Sequence, residues 1–432
     1  MSLYSAFYSG LSGLATNASA LNVIGNNLSN INTVGFKGSS STFRDIFSAS
    51  LGGVSTQGNG NPIQFGLGVQ VNSVSQDFSQ SSFQGTGNAL DMAIQGNGFF
   101  TLQTPDGRQV FSRAGNFTRN NDGYLVASDG SNVMGWNQDP TTGAVNTSAS
   151  LARIRIDAGT TASASSTKNF RLGVNLNAST FDPTSTVPPT APVASLTTPI
   201  QVYDSQGNSH NINIQYTKTG PNSWSYAASV DAPATIGSGA TGTLTFSTDG
   251  SLLSINGAAP VAGNNPVIGA INWGNGTTPQ SITWDLVNSS GATNITQYAA
   301  ASSTSSSFQD GYGAGTLRDL SVDQNGMLNG TFTNGQVISL AQVAISSFNN
   351  MNGLVQAGNN HWGQSLASGS PTIGLANQGG RGGVLGSNLE LSNVDVAGEF
   401  TKLILSQRGY SANSRVVTTT DQMLQETLNL KQ

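Results

Sequence analysis

The chain has no cysteine, few charged residues, few histidines and no long apolar run. None of its 432 residues is Cys, which excludes disulfides, thiol nucleophiles and cysteine-ligated metal sites. Only 9% of the residues are charged, against about 25% in ordinary soluble domains. The net charge of −5 offers no basic surface for nucleic acid. No apolar stretch approaches the roughly 18 residues of a membrane span. Neither nucleic-acid binding nor membrane insertion is therefore expected.

Small residues take the place of the missing charges. Glycine alone accounts for 53 residues, and Ser, Thr and Asn are abundant. A surface with few charges suits close contact between copies of the chain, because few charges lose their hydration. A secreted β-rich protein with Ser/Thr-rich loops has the same composition, so composition leaves both classes open.

The amino terminus contains a stretch that imitates a secretion signal. Ala18-Ser19-Ala20 resembles a signal-peptidase site, but no Lys or Arg precedes it, and Gly, Ser and Asn interrupt the apolar region before it. Those features argue against a cleaved signal. If the protein is exported, we expect a route that leaves its amino terminus uncleaved.

Both ends of the chain carry a seven-residue apolar repeat. The predicted apolar seam comprises Leu3, Phe7, Leu14, Leu21, Ile24, Leu28 and Ile31 at one end and Val396, Phe400, Leu403, Tyr410, Val417, Leu424 and Leu428 at the other. Gly10 and Asn17 interrupt the first repeat, and Gln407, Ser414 and Asp421 interrupt the second. A helix rich in Gly and Asn is marginal in isolation, so the shared period predicts that the two terminal helices pair as a coiled coil. Ordinary surface helices that cap a globular core are the alternative.

The middle of the chain has the pattern of short β-strands. Asp-Gly or Asn-Gly pairs begin at positions 106, 122, 129, 249, 325 and 334 and predict tight turns. The strand-like runs between them include 99–102, 200–203, 212–216 and 337–345. Such spacing favours sandwiches or barrels. Segments 158–168 and 299–307, rich in Ala, Ser and Thr, are predicted to be paired linkers around an inserted domain. The Pro-containing segment 179–198 is predicted to be a surface loop.

These patterns predict an α+β multidomain fold, in which the terminal heptad helices flank two nested all-β domains and the inner domains are discontinuous. The expected bounds are 1–31 with 393–432 for the helical domain, 32–70 with 386–392 for a connecting region, 71–157 with 308–385 for the first β domain, and 158–307 for an inserted outer tip domain.

No arrangement of residues in the sequence points to catalysis, a metal or a cofactor. His210 and His361 are the only histidines, and each is more typical of packing or surface than of a ligand. Asp204 and Asp285 do not form a recognisable glycosidase pair. The segments GYGAG (311–315) and GGRGG (379–383) lack the Lys-Ser/Thr of a phosphate loop. We therefore predict that the chain has no catalytic, cofactor or metal site and is not an enzyme.

Both termini resemble the bacterial flagellar rod, hook and hook-associated axial proteins. The resemblance lies in NVIGNNLSNINTVGFKGSSSTF (22–43) and SNVDVAGEFTKLILSQRGYSANSRVVTTTDQMLQETLNL (392–430). Its signature residues are Asn26, Asn27, Asn30, Gly35, Phe36, Ser392, Asn393, Val394, Asp395, Gln407, Arg408 and Tyr410. Ser29 departs from the alanine that is common there.

The β region resembles the same family. GNALDMAIQGNGFF (87–100) and FSRAGNFTRNNDGYLV (111–126) resemble its first β domain, and VYDSQGNSHNINIQY (202–216) resembles the tip domain of its hook members. The four matches come in the family's order and cover both ends and both β domains.

The resemblance implies a subunit of a curved helical tube that works as a universal joint, transmits motor torque from rod to filament and encloses the export channel. Its partners would be many copies of itself, the distal rod, the hook cap, the hook–filament junction proteins and the type III export apparatus. The expected place is the extracellular flagellar basal body and hook, reached without a cleaved signal. A distal rod protein is the nearest alternative, and an extracellular adhesin or glycan-binding β protein is the alternative from another class.

Overall fold

A computed structural model of the chain describes residues 3–46, 48–51, 63–139, 142–157, 159–179 and 194–429. The chain divides into two compact units. Unit 1 comprises Met1–Ala158, Asp319–Gly330 and Val337–Gln432, and unit 2 comprises Gly159–Arg318 and Thr331–Gln336.

Unit 1 contains the two long helices, α1 (Leu3–Ser29) and α2 (Val396–Asn429). They pack against each other along their length. Neither helix is long and apolar enough to cross a membrane within the part of the chain that the structure describes.

Short strands make up most of the rest of unit 1. They are Ser39–Asp45, Ser48–Leu51, Ile63–Gly66, Val69–Gln76, Phe83–Gly85, Met92–Gln95, Phe99–Gln103, Gln109–Ser112, Thr118–Arg119, Leu125–Val126, Asn132–Asn137, Ala152–Arg153, Val337–Val343, Ile345–Ser347, Val355–Gly358, His361–Gly363, Thr372–Gly374, Gly383–Gly386 and Asn388–Glu390. A short 3₁₀ turn lies at Met351–Gly353. Two further strands, Gly315–Val322 and Met327–Phe332, contribute residues to both units.

An aromatic cluster forms part of the core of unit 1. Phe99 and Phe111 are buried with Trp362, and Phe78 meets Trp362 edge-on with ring centroids 5.2 Å apart. Edge-to-face contacts of this kind add to the stabilisation from buried aromatic area. They join strands that are far apart in sequence.

Unit 2 contains two β-sheets around one core. Its strands are Thr161–Ala162, Asn169–Asn175, Ala194–Tyr203, Ser209–Gly220, Ser223–Val230, Thr241–Phe246, Leu252–Ile255, Val267–Ile271, Gln280–Trp284, Ile295–Thr296 and Ser303–Gln309, with a 3₁₀ turn at Ala262–Asn264. The five strands from 194 to 255 form an antiparallel sheet in chain order. In the second sheet, strand 169–175 runs parallel to 280–284 and 295–296 and antiparallel to 303–309.

Trp284 lies fully buried in the core between the sheets of unit 2. Its ring stacks on Phe170 at 5.8 Å and meets Tyr226 edge-on at 5.1 Å. The alternation of buried and exposed residues along 209–220 is regular, as expected for a strand with one face in the core. This unit therefore has an apolar core of its own.

The six predicted tight turns are all present. In each, the glycine has a φ between 71° and 84° and so lies in the left-handed region. Glycine reaches that region without steric cost, so each pair marks where one strand ends and the next begins. The four predicted strand runs lie in strands too, although 337–345 is divided at Ala344.

One of the two predicted linkers is wrong. Segment 299–307 contributes to the strand Ser303–Gln309, which pairs with 169–175. The actual neighbour of 158–168 is 310–316, because Thr161 pairs with Thr316 and Ser165 with Tyr312. A Ser/Thr-rich run can form a strand when its main chain pairs with a buried neighbour, which composition does not reveal. In the predicted loop 179–198, residues 194–198 belong to a strand, and 180–193 lie outside the described residues.

The predicted fold class is confirmed: terminal helices pair, and β-sheet domains lie between them. The finer domain bounds stay a prediction.

Candidate self-assembly surface

Helices α1 and α2 pair in antiparallel fashion, and glycines bring them close together. A Cβ at Gly10 would lie 3.1 Å from Cγ2 of Val417, and one at Gly409 would lie 2.9 Å from Oδ1 of Asn17. Near the other end of the pair, Nδ2 of Asn27 lies 3.3 Å from Oε2 of Glu399. Gly10 and Asn17, which interrupt the apolar repeat, thus lie where the two helices approach closely, and at each point a glycine (Gly10 or Gly409) leaves room for the opposite helix.

The predicted seam of α1 lies partly covered within one chain. Ile24 is buried, and Phe7, Leu14, Leu21, Leu28 and Ile31 are half-buried. Leu3 begins the helix, and its side chain lies outside the described side chains. On α2, Leu403, Val417 and Leu424 are half-buried, whereas Tyr410 is largely exposed.

The second apolar row predicted on α2 does not pack against α1. This row comprises Phe400, Gln407, Ser414, Asp421 and Leu428. Phe400 and Leu428 are 48% and 68% exposed, Gln407 and Asp421 are exposed as well, and Ser414 is half-buried. Val396, which begins the first row, is 43% exposed. A row of polar residues faces α1 instead, and each of them lies one position before a residue of the predicted second row. It consists of Glu399, Ser406, Asn413 and Thr420, of which Glu399 and Thr420 are buried. One residue rotates a helix face by about 100°, so the apolar period alone does not identify every residue that contacts α1. A role for Phe400 and Leu428 in contacts with another copy stays a prediction.

Helix α2 consequently presents four distinct sides. One side faces α1. With about 3.6 residues per turn, Phe400 and Ile404 lie on one flank. The opposite flank carries Leu405, Val416 and Met423, and all five of these apolar residues are exposed. The side opposite α1 is polar, with Thr401, Arg408, Arg415 and Gln422 exposed along it. Exposed apolar side chains on α1 (Tyr4, Tyr8 and Leu11) extend the uncovered apolar surface.

A buried ion cluster anchors the bases of both helices in unit 1. Oε1 of Glu390 lies 2.7 Å from Nζ of Lys37, and its Oε2 lies 3.4 Å from Nη1 of Arg113. All three side chains are at most 2% exposed. Burial lowers the pKa of Lys37 below its ordinary value, and the hydrogen bond to Glu390 opposes that shift. A buried charge is tolerated only when it is paired and hydrogen-bonded, so these residues hold the segments after α1 and before α2 together.

Two signature asparagines act as clamps beside this cluster. Asn27 donates from Nδ2 to the carbonyl of Ser39 at 2.8 Å and accepts from the N–H of Ser39 at 2.8 Å. Asn393 accepts from the N–H of Gly38 at 2.8 Å and donates to the carbonyl of Asp77 at 2.7 Å. An amide side chain can replace a missing backbone partner at both its ends, so both clamps join α1 and α2 to the strand pair 39–45 and 69–76.

Two more signature positions have local backbone roles. Gly35 has a φ of 65°, and a Cβ there would lie 2.6 Å from backbone atoms of Arg113 and Ala114. Asp395 caps α2 by accepting from the N–H groups of Ala397 and Gly398 at 3.2 and 3.1 Å, which satisfies donors that a helix start leaves free.

The remaining signature residues are spread over two places. Asn30 donates to the carbonyl of Asn26 at 2.9 Å at the end of α1, and Phe36 is buried next to this turn. Ser392 and Val394 lie half-buried before α2. Gln407, Arg408 and Tyr410 are exposed on α2. The structure thus brings most of the signature together at the base of the helices and leaves the last three uncovered.

Sequence reasoning missed Arg113, Glu390, Glu399 and Asn413. Single charged or amide side chains at isolated positions give no periodic signal. Lys37 did stand out as the first charged residue after 36 uncharged ones. Nothing in the sequence around Glu390, 353 residues later, identifies it as the partner of Lys37.

The histidines lie in unrelated surroundings. Nε2 of His210 is 3.1 Å from Oδ2 of the buried Asp204 in unit 2, and Nδ1 of His361 is 3.5 Å from Oδ2 of Asp129 in unit 1. Burial lowers the pKa of His361. The described parts of the chain hold no group of three His, Asp or Glu side chains placed to bind a metal ion.

Four family models match the chain in order. They are described as flagella basal body rod protein (residues 7–37), flagellar hook protein FlgE/F/G D1 domain (93–168), flagellar basal body protein FlaE D2 domain (175–312) and flagellar basal body rod FlgEFG protein C-terminal (386–430).

Full-length relatives are similar to the whole chain. The flagellar hook protein FlgE of Borreliella burgdorferi is 35% identical, with 99% of each chain covered. The FlgE proteins of Escherichia coli K12 and Salmonella typhimurium LT2 are each 33% identical, over 99% of this chain and 100% of theirs.

A solved structure supports the fold alone. The crystal structure of Helicobacter pylori flagellar hook protein FlgE2 superposes with a TM-score of 0.51 at 15% identity, covering 72% of this chain and 100% of that one. The full-length relatives favour a hook subunit over a distal rod protein or a glycan-binding protein and confirm the resemblance seen at the termini. The chain belongs to the flagellar hook protein FlgE family.

Proposed function

We propose that the chain is a structural subunit that self-assembles into the curved helical tube of the bacterial flagellar hook. One observation carries the proposal. Helix α2 is held by α1 on one side, carries exposed apolar side chains on both flanks, and is polar on the fourth side. Large contiguous apolar surface on a soluble chain marks a contact with another molecule.

The two flanks of α2 can contact the α2 helices of two neighbouring copies of the chain. When identical helices stand side by side in a ring, one flank of each meets the opposite flank of the next, and heterologous contacts of this type generate rings or helical tubes. Helix α1 would then form an outer layer, and the polar side of α2 would line a channel. Covering such a side chain contributes part of the roughly 1.5–3 kcal/mol that full burial of a Leu or Phe gives, and every subunit repeats that gain.

The base of the helices supports a role in transmitting torque. The Lys37–Glu390–Arg113 cluster and the two asparagine clamps join the helix pair to the β strands of unit 1 by buried, directional contacts. Unit 2 exposes many hydroxyl side chains, for example along 303–309. Hydroxyl surfaces can exchange water-mediated contacts at low cost. Outer domains of this kind would slide as the tube bends during rotation, which is the behaviour of a universal joint.

The partners follow from that role. Besides many copies of itself, the subunit would contact the distal rod, the hook cap and the hook–filament junction proteins at the ends of the tube. It would reach the outside of the cell through the flagellar type III export apparatus, without a cleaved signal. A structural role of this kind requires no catalytic or cofactor site.

A single substitution on a flank tests the proposal. Phe400→Asp places a charge where a neighbouring copy would bury the ring, and the Phe400 side chain is 48% exposed in a single chain. We expect negative-stain electron microscopy to show curved tubes for the parent chain and none for the variant, with an unchanged circular dichroism spectrum of the monomer. Thr401→Asp is the matched control, because the same charge lies on the polar side, and we expect it to leave tubes. Tubes from Phe400→Asp, or no tubes from the parent chain, would contradict the proposal.

A further inference from the structure

The charges of helix α2 leave two arginines without a partner. Glu399 and Lys402 pair with each other at 2.8 Å. Arg408 and Arg415 are exposed, seven residues apart, and make no ion pair in the described chain. Their helix neighbours three and four positions away are Ile, Leu, Ser, Ala and Thr, so no acid lies where it could pair along the helix. Residues 1–36 of the sequence, which include α1, carry no charged side chain.

An acid near the end of the same helix is equally unmatched. Glu426 is exposed, and the residues three and four positions from it are Gln, Met, Asn and Leu. It lies in the last two turns of α2, where the helix dipole disfavours a negative charge. Asp421, by contrast, accepts a hydrogen bond from Nε2 of Gln425 at 3.1 Å. Glu426 therefore makes no ion pair within the described chain and is free to pair with another copy.

Arg415 and Glu426 point in the same direction. They are eleven residues apart, which is close to three whole turns and about 16 Å along the axis. Both belong to the side of α2 opposite α1. Two parallel copies displaced by this distance would place the guanidinium of one beside the carboxylate of the other.

The apolar flanks favour the same displacement. Ile404 on one flank and Val416 on the other are twelve residues apart, so a shift of eleven to twelve residues sets them opposite each other in adjacent copies. Phe400 would then lie opposite Ala412. Arg408 is also in phase with Glu426, but a displacement of eighteen residues would uncover about half of a helix of 34 residues and lose apolar contact.

We infer that Arg415 of one copy pairs with Glu426 of the adjacent copy, and that this pair sets the axial register of parallel α2 helices about 16 Å apart along the tube. The inference rests on the proposed self-assembly and names the register of that contact. It has a second consequence, because pairing neutralises charge on the side of α2 that would line the channel.

Charge reversal tests the pair. We expect Arg415→Glu and Glu426→Arg each to raise the critical concentration for tube formation by about fivefold, the upper range for one exposed ion pair. The double variant R415E/E426R restores the pair with exchanged signs, and we expect its critical concentration to lie within about twofold of the parent. Sedimentation of tubes and electron microscopy give the measurement. Arg408→Glu combined with Glu426→Arg is the matched control and should not recover.

Three outcomes would overturn the pair: unchanged assembly of Arg415→Glu, failure of the double variant to recover, or recovery of the Arg408 control instead. If these occur while the parent chain forms tubes, self-assembly stands and the register is wrong. A parent chain that forms no tubes would overturn both.

A crosslink tests the register independently, because the chain contains no cysteine. Ile404→Cys combined with Val416→Cys should yield a ladder of disulfide-linked oligomers when tubes are oxidised, and the two positions are too far apart on one helix to join within a copy. Ile404→Cys combined with Met423→Cys should yield none. A ladder from the control pair and none from the first pair would contradict the displacement.

Discussion

Glu390 joins distant parts of unit 1 through both its side chain and its main chain. Its carboxylate contacts Lys37 and Arg113 and accepts from the N–H of Ser81 at 3.0 Å. Its carbonyl accepts from the N–H of Gly35 at 2.8 Å. A group in such a position is worth far more than an exposed ion pair, because removing it leaves two buried cations without an anion.

Neutralising Glu390 should therefore destabilise unit 1 strongly. We expect Glu390→Gln to lower the free energy of unfolding by about 3–5 kcal/mol, measured by urea denaturation of the monomer. Asp106→Asn removes one partner of an exposed ion pair with Arg108. It should change the free energy of unfolding by less than about 1 kcal/mol. Equal effects of the two substitutions would contradict the anchoring role of the cluster.

Asp204 has a comparable position in unit 2. It is fully buried, and burial alone would raise its pKa. Hydrogen bonds donated by Asn208, His210 and Asn275 outweigh that effect and hold the pKa of Asp204 well below its usual range. The His210 ring also stacks on Trp273 at 4.1 Å. The VYDSQGN segment owes its shape to this carboxylate.

The lowered pKa predicts an acid-dependent loss of stability. A depressed pKa in the folded state contributes stability that is fully present above the unfolded value of about 3.9 and is lost as the pH falls toward the folded value. We expect the free energy of unfolding of unit 2 to fall between about pH 4 and pH 2, and Asp204→Asn to remove part of this dependence. Urea titrations at several pH values, followed by tryptophan fluorescence, measure it. An unchanged pH profile in the variant would contradict the prediction.

At the scale of elements, the contact between α1 and α2 depends on glycine rather than on a continuous apolar seam. Gly10 faces Val416, Val417 and the carbonyl of Asn413, all within 3.5 Å of where a Cβ would lie. Gly25 has no atom within 4 Å of that point. Gly10 and Gly25 thus differ in the room that each leaves for a larger side chain.

That difference gives a matched pair of substitutions. Gly10→Leu should separate the helices and abolish tube assembly, because the new side chain would occupy the space of α2. Gly25→Leu should leave assembly intact and stabilise α1 by about 0.5–1 kcal/mol, since Gly is a poor helix former. Circular dichroism and electron microscopy measure both. Assembly of Gly10→Leu would show that the close approach is dispensable.

At the scale of the whole molecule, the ends of the inserted unit lie next to each other. Oδ1 of Asp310 accepts from the N–H groups of Lys168 and Asn169 at 2.8 and 3.0 Å. Ser165 and Tyr312 exchange two backbone hydrogen bonds of 2.9 Å. The strands of both sheets of the unit 2 core lie between residues 168 and 310 in the sequence. A single deletion between these two residues therefore removes both sheets.

Deleting 169–309 tests the separate roles of the two units. We expect a chain that joins residue 168 directly to residue 310 to form tubes, because the deletion leaves the flanks of α2 unchanged. We expect those tubes to differ in curvature from the tubes of the full chain. Electron microscopy measures both properties. Loss of all tubes from a deletion chain whose helices are folded by circular dichroism would show that the inserted unit is required for assembly.

Local patterns in the sequence determined the elements of this protein. Heptad spacing located α1 and α2, and Asp-Gly and Asn-Gly pairs located the turns, because helix period and left-handed glycine are properties of a few neighbouring residues. The terminal signatures likewise pointed to the family without knowledge of the fold.

Only the tertiary structure decided which residues meet. It assigned Glu399 and Asn413, rather than Phe400 and Ser414, to the contact with α1, paired Lys37 with Glu390, and turned the expected linker 299–307 into part of a strand. Each of these depends on a partner tens or hundreds of residues away, and a buried polar group is stable only where that partner lies within reach.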